Sequence, residues 1–199
     1  MFRVVLIVLC FSVANWAIAG EFNEVLKIGD LAPAWVDLRG VDGNYHSLSE
    51  LKDKQVVVVL FTCNSCPVAK DYEDRIIATA KKFSHVAFVA INVNRIPDDS
   101  LEKMTERAKE KGFPFPYLLD ESQQIAKHYG ANFTPEFFVL DAQRKVTYMG
   151  GFDDNANSKL VKREFLDLAI TATLAKKSPD IAETLARGCR IRFAREPRK

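Results

Sequence analysis

The stretch "VVVVLFTCNSCPVAKDYEDR", residues 56–75, decides the fold. Four valines and a leucine run without polar alternation, as in a strand buried on both faces of a sheet. Cys63 and Cys66 follow at once, two residues apart, and Pro67 stands next to Cys66. Proline belongs in a first helical turn, where its missing N–H costs nothing. The charged segment after it then reads as a helix. The two cysteines therefore fall where a buried strand gives way to a helix. Such a pair can hold a metal, staple the fold or exchange electrons.

Position favours exchange. The first N–H groups of a helix lack partners and the dipole is positive there, so a thiolate is stabilised. Cys63 is predicted to be an exposed nucleophile with a lowered pKa, and Cys66 its more sheltered partner. Two cysteines at this spacing in a first turn reach disulfide geometry with little distortion. Zinc needs four ligands, and no second cysteine pair or His/Cys cluster occurs in the chain, so no metal and no cofactor are expected.

Outward from this junction, strands alternate with helices. "WVDLRGVDGNYHSL" (35–48) is predicted to be a hairpin turning at Asp42-Gly43-Asn44. Tyr72, Ile76, Ala80 and Phe83 form one stripe of a helix over residues 67–83. "HVAFVAINV" (85–93) is a second buried strand. Ser100 caps a charged helix that Gly112 ends. "FPFPYLLD" (113–120) leads into a short strand, and "SQQIAKHYG" (122–130) is a short helix closed by Gly130. "TPEFFVLD" (134–141) and "KVTYMGGF" (145–152) suit an antiparallel pair, and residues 158–177 a long amphipathic helix. The order predicts an α/β fold, a mixed sheet with helices on both faces.

The ends of the chain bear on location. Arg3, the apolar run 4–13 and the small residues Ala17 and Ala19 predict a signal peptide over residues 1–19, cleaved near Ala19, and so an exported, periplasmic or secreted protein. Cleavage removes Cys10 and leaves Cys63, Cys66 and Cys189, an odd number. Residues 20–178 are read as the domain. Residues 179–199 are read as a basic, solvated extension carrying Cys189, a lone packed thiol or a third redox thiol. A net charge of +2 gives no reason to expect nucleic acid as a partner.

Strand, CxxC, helix and a distant "TPEFFVLD" strand resemble the thioredoxin superfamily. The hairpin, the block 113–141 and the following "YMGGFDD" resemble its redoxin branch, which holds AhpC/TSA-related peroxidases and exported thioredoxin-like oxidoreductases. The resemblance covers about residues 26–175. It implies that Pro135 is cis and that the Thr134-Pro135 loop lies beside the dithiol, offering its backbone to an incoming chain. Thr134 is then expected to touch substrate; Phe61 is read as a core residue first that also adds to an apolar docking surface near the dithiol. Thioredoxins place a buried acid on the strand before the dithiol; "QVVVVLFT" has none, and Glu136 is the expected proton acceptor. The implied activity is thiol–disulfide exchange with a disulfide-bearing protein, with a membrane or soluble thiol as electron donor. A thiol peroxidase is the alternative, though the pattern Pro-x-x-x-Thr-x-x-Cys is absent. A copper chaperone using His128 or His85 as third ligand is another.

Overall fold

The computed structural model describes residues 20–194. The predicted signal peptide lies outside the described residues. The core is a seven-stranded sheet. β1 (Leu38–Gly40) and β2 (Tyr45–His46) form the predicted hairpin. β3 (Val57–Phe61) leads into α1 (Pro67–Lys82), and β4 (Ala87–Asn92) runs parallel to β3. α2 (Leu101–Lys111) and β5 (Tyr117–Leu119) follow, then α3 (Gln124–Tyr129) and the short β6 (Phe133–Thr134). β7 (Glu136–Leu140) and β8 (Val146–Gly150) pair antiparallel, α4 (Phe165–Leu174) crosses them, and β9 (Cys189–Arg190) closes the chain. The spatial order is β2-β1-β5-β4-β3-β7-β8, with β9 paired to β6 apart from this sheet.

The valine run explains the architecture. β3 lies between parallel β4 and antiparallel β7, and its five residues are all buried. Because side chains alternate across a strand, Val57, Val59 and Phe61 face one layer and Val58 and Leu60 the other. The first layer holds Trp35, Ile125, Tyr129 and Ile191; the second holds Tyr72 and Ile76 of α1, Met104 of α2 and Ile170 of α4. The fold is thioredoxin-like α/β.

Helix ends follow their caps. Cys66 is the N-cap of α1 and Pro67 its first residue. Ser100 Oγ accepts the Lys103 N–H, and Gly112 adopts φ 64°, a left-handed conformation that glycine takes without steric cost.

Two expectations need correction. The helix predicted over 158–177 spans only Phe165–Leu174, with a 3₁₀ turn at Ser158–Leu160 before it. Polar side chains in the approach bind backbone and hold it out of helix: Asn157 Oδ1 accepts Lys159 N–H at 3.0 Å, and Asp154 Oδ1 accepts Lys162 N–H at 2.9 Å. The basic extension, read as solvated, is packed. Met149 N–H donates to Ala182 O and Thr184 N–H returns to Met149 O. Ile191 lies in the core, while Arg187, Arg190 and Arg192 face solvent. Its apolar residues are spaced between the arginines, so one side of the segment seals the fold.

Candidate active site

The loop between the cysteines is fastened to a turn the sequence did not single out. Thr62 N–H still pairs with Ile91 O at 3.0 Å, and the chain then leaves the sheet. Asn64 Nδ2 donates to Asp98 O at 3.2 Å, and Tyr117 OH donates to Asn64 Oδ1 at 3.2 Å. Ser65 N–H and its hydroxyl both donate to the Asp99 carboxylate, at 2.9 and 2.7 Å. Asp99 is fully buried and also accepts Asn94 Nδ2 at 3.0 Å. In sequence, Asp98-Asp99 looks like a solvated acidic start to a helix, so nothing marked Asp99 as a partner of the CxxC loop.

Both sulfurs are buried, Cys63 with 3% of its surface exposed and Cys66 with 1%. This corrects the expectation of an exposed Cys63. Cys66 Sγ sits at the helix N-cap, accepts the Ala69 N–H at 3.2 Å and lies 3.0 Å from the Thr134 carbonyl oxygen. Cys63 Sγ lies 3.4 Å from Thr134 Oγ1 and 3.6 Å from Ser65 Oγ. Interaction with the Cys66 thiol, and then burial, push the Cys63 thiol up. The same interaction holds the Cys66 thiol down, with help from Cys189, Thr134 and the Ala69 N–H. Cys66, not Cys63, occupies the helix cap, the place where the dipole favours a thiolate. A thiolate at Cys63 would meet the Thr134 and Ser65 hydroxyls, with the Cys66 S–H donating to Thr134 O.

The Thr134-Pro135 peptide is cis, and its loop lies against the dithiol. The resemblance implied this placement for Thr134 and Pro135. Two other expected residues serve differently. Phe61 is fully buried, with its ring edge-on to Tyr129 and Phe138, because strand alternation turns it into the core rather than toward substrate. Glu136 turns away from the sulfurs: its Oε2 accepts the N–H of Asn132 at 2.8 Å and of Phe133 at 2.9 Å, so it shapes the loop that carries Thr134. Burial raises its pKa to about 7 against those two bonds. Cys189, by contrast, is brought to the site. β9 pairs with β6 in the register Thr134↔Cys189, and Cys189 packs on Cys63, Cys66 and Ala69.

His85 and His128 are exposed. Among the described residues no three His, Cys, Asp or Glu side chains converge as a metal site.

The chain is 27% identical over 149 residues to the thiol–disulfide oxidoreductase ResA of Geobacillus thermodenitrificans, covering 72% of this chain and 82% of that one. An uncharacterized conserved protein from Geobacillus kaustophilus superposes with a TM-score of 0.80 at 34% identity, covering 86% of this chain and 94% of that one. The thioredoxin domain of a thiol–disulfide oxidoreductase from Bacteroides vulgatus has the same fold, with a TM-score of 0.53 at 20% identity over 61% of this chain and 86% of that one. Residues 28–149 match the AhpC/TSA family. The chain belongs to that family, in the redoxin branch of the thioredoxin superfamily.

Proposed function

We propose that the protein is an exported thiol–disulfide oxidoreductase that exchanges disulfides with partner proteins through Cys63 and Cys66. The observation that carries this reading is the convergence of both sulfurs on Thr134, at the junction of β3 and α1. Cys63, as thiolate, attacks a disulfide sulfur of the partner and forms a mixed disulfide. Cys66 then attacks Cys63 Sγ, the partner leaves as a thiol, and the Cys63–Cys66 disulfide remains. A thiol donor, membrane-bound or soluble, returns the pair to the reduced state. The Thr134-Pro135 loop orients the bound chain, and Asp99 acts as a positioning residue by fixing Ser65. The name of the Geobacillus thermodenitrificans relative supports the reaction class, and the sequence of residues 1–19 supports export.

Insulin reduction tests the reading. Wild type is expected to turn over and Cys63→Ser to be inactive; equal rates would remove Cys63 from the mechanism. Family membership favours one other reading, a thiol peroxidase with Cys63 as the peroxide-attacking residue. Rapid, saturable consumption of hydrogen peroxide with a sulfenic acid at Cys63 would establish it.

A further inference from the structure

The backbone edge that the redoxin resemblance reserves for an incoming chain is already filled. β9 pairs antiparallel with β6, Phe133 opposite Arg190 and Thr134 opposite Cys189. Ile191 N–H donates to Asn132 O at 2.9 Å, and Thr134 Oγ1 donates to Cys189 O at 3.4 Å. Beyond the strand, Arg192 N–H donates to Asn94 Oδ1 at 3.0 Å, while Gln123 Nε2 donates to Arg192 O at 2.9 Å and its Oε1 accepts the Ala194 N–H at 2.7 Å. Close approach depends on Gly188: a Cβ there would sit 2.0 Å from the Thr134 carbonyl oxygen.

The residue this strand delivers is a cysteine. Cys189 is half-buried against the dithiol cluster, and its thiol interacts with that of Cys66. Both motif sulfurs bond to Thr134, and Cys189 is the residue opposite Thr134. An extended chain added to an exposed strand edge is how a bound peptide docks, and here the docked chain carries a cysteine.

We propose that the C-terminal strand is an internal occupant of the docking edge and that Cys189 is a third redox thiol, which attacks the Cys63–Cys66 disulfide at Cys66 Sγ to form Cys66–Cys189. This rests on the oxidoreductase reading. In the step, the Cys63–Cys66 bond breaks and the Cys66–Cys189 bond forms. Cys63 leaves with the electron pair as thiolate, and the Cys189 proton passes to solvent. One oxidising equivalent passes from Cys63 to Cys189 while Cys66 keeps its oxidation state, so no outside oxidant or reductant is consumed. Burial, followed by the bond to Cys66, pushes the Cys189 thiol up in the reduced protein; a neutral disulfide at Cys66 removes the second influence. An outside chain reaches Cys63 only when the strand lifts.

Trypsin separates the reacting groups into peptide 55–70 and the tripeptide 188–190. Cys63→Ser protein equilibrated in a glutathione redox buffer is expected to be a monomer in which these two peptides are linked through Cys66 and Cys189. Two free or glutathionylated thiols would overturn the proposal. Gly188→Ala in the Cys63→Ser background is expected to lose the link, and on its own to keep the Cys63–Cys66 disulfide. A link that survives Gly188→Ala at wild-type yield would overturn the docked-strand geometry. Wild type that forms Cys63–Cys66 and reduces insulin, with no link in Cys63→Ser, sinks this inference alone. Wild type that forms neither a Cys63–Cys66 nor a Cys66–Cys189 disulfide sinks the oxidoreductase reading itself.

Discussion

The carboxylate of Asp99 holds Ser65 by both of its donors, the N–H at 2.9 Å and the hydroxyl at 2.7 Å, and that hydroxyl stands 3.6 Å from Cys63 Sγ. A fully buried acid thus sets the shape of the loop between the cysteines, and its charge opposes a thiolate at Cys63.

Asp99→Asn keeps the size of the side chain and removes the charge. Its amide can accept from only one of the two Ser65 donors. Stability is expected to fall by about 2 kcal/mol, the scale of a hydrogen bond to a charged group. The pH at which the dithiol becomes alkylatable is expected to move down, since a repelling charge is gone. A profile of iodoacetamide reaction against pH, with urea unfolding on the same sample, checks both; an onset that moves up would contradict this role for the carboxylate.

Glu136 links the fold to pH. Its folded pKa is raised to about 7 by burial, against an ordinary value of 4.5. The folded state therefore holds this proton more tightly than the unfolded chain. The resulting stability is fully present below pH 4.5 and is lost as pH rises through about 7. The span amounts to about 3 kcal/mol. Glu136→Gln keeps an acceptor for Asn132 and Phe133 and is expected to flatten this slope, as measured by unfolding free energy across that window.

Asp153 is a buried acid held by Arg75 and by the Tyr72 hydroxyl, the latter at 3.0 Å. The Arg75 guanidinium also stacks 3.9 Å from the centre of the Tyr72 ring. Asp153→Ala leaves Arg75 with less than its full set of partners in a largely buried place. A loss of about 3 kcal/mol in urea unfolding is expected. Insulin reduction by the folded variant is expected to persist, because Asp153 makes no bond to the dithiol.

Tyr129 presents the opposite case. Its hydroxyl is buried without a hydrogen-bond partner, while its ring packs on Phe61 and Phe138. Tyr129→Phe removes an unpaired polar group and keeps the ring contacts. Its unfolding free energy is expected to stay level or rise by up to about 1 kcal/mol, read as a urea midpoint that does not fall at an unchanged m-value. A clear drop in midpoint would mean that the hydroxyl is satisfied in solution.

Local order was legible wherever one short stretch carries its own physics. The valine run announced a central strand, Pro67 a first helical turn, and Ser100 and Gly112 two ends of α2. The 158–164 approach misread as helix because its Asn and Asp side chains bind backbone, a competition that hydrophobic periodicity does not register.

The site divides in the same way. From the chain alone come the two sulfurs at a strand-to-helix junction, since spacing and residue type are local properties; the place of the Thr134-Pro135 loop beside them came from the family resemblance. Only the folded molecule decided which sulfur caps the helix, that Asp99 reaches across 34 positions to hold Ser65, and that Glu136 serves the loop rather than the thiols. It also laid Cys189 opposite Thr134, 55 positions earlier. Those relations are contacts between distant segments, and what fixes them is which surfaces the packed layers leave to meet, a quantity no single segment contains.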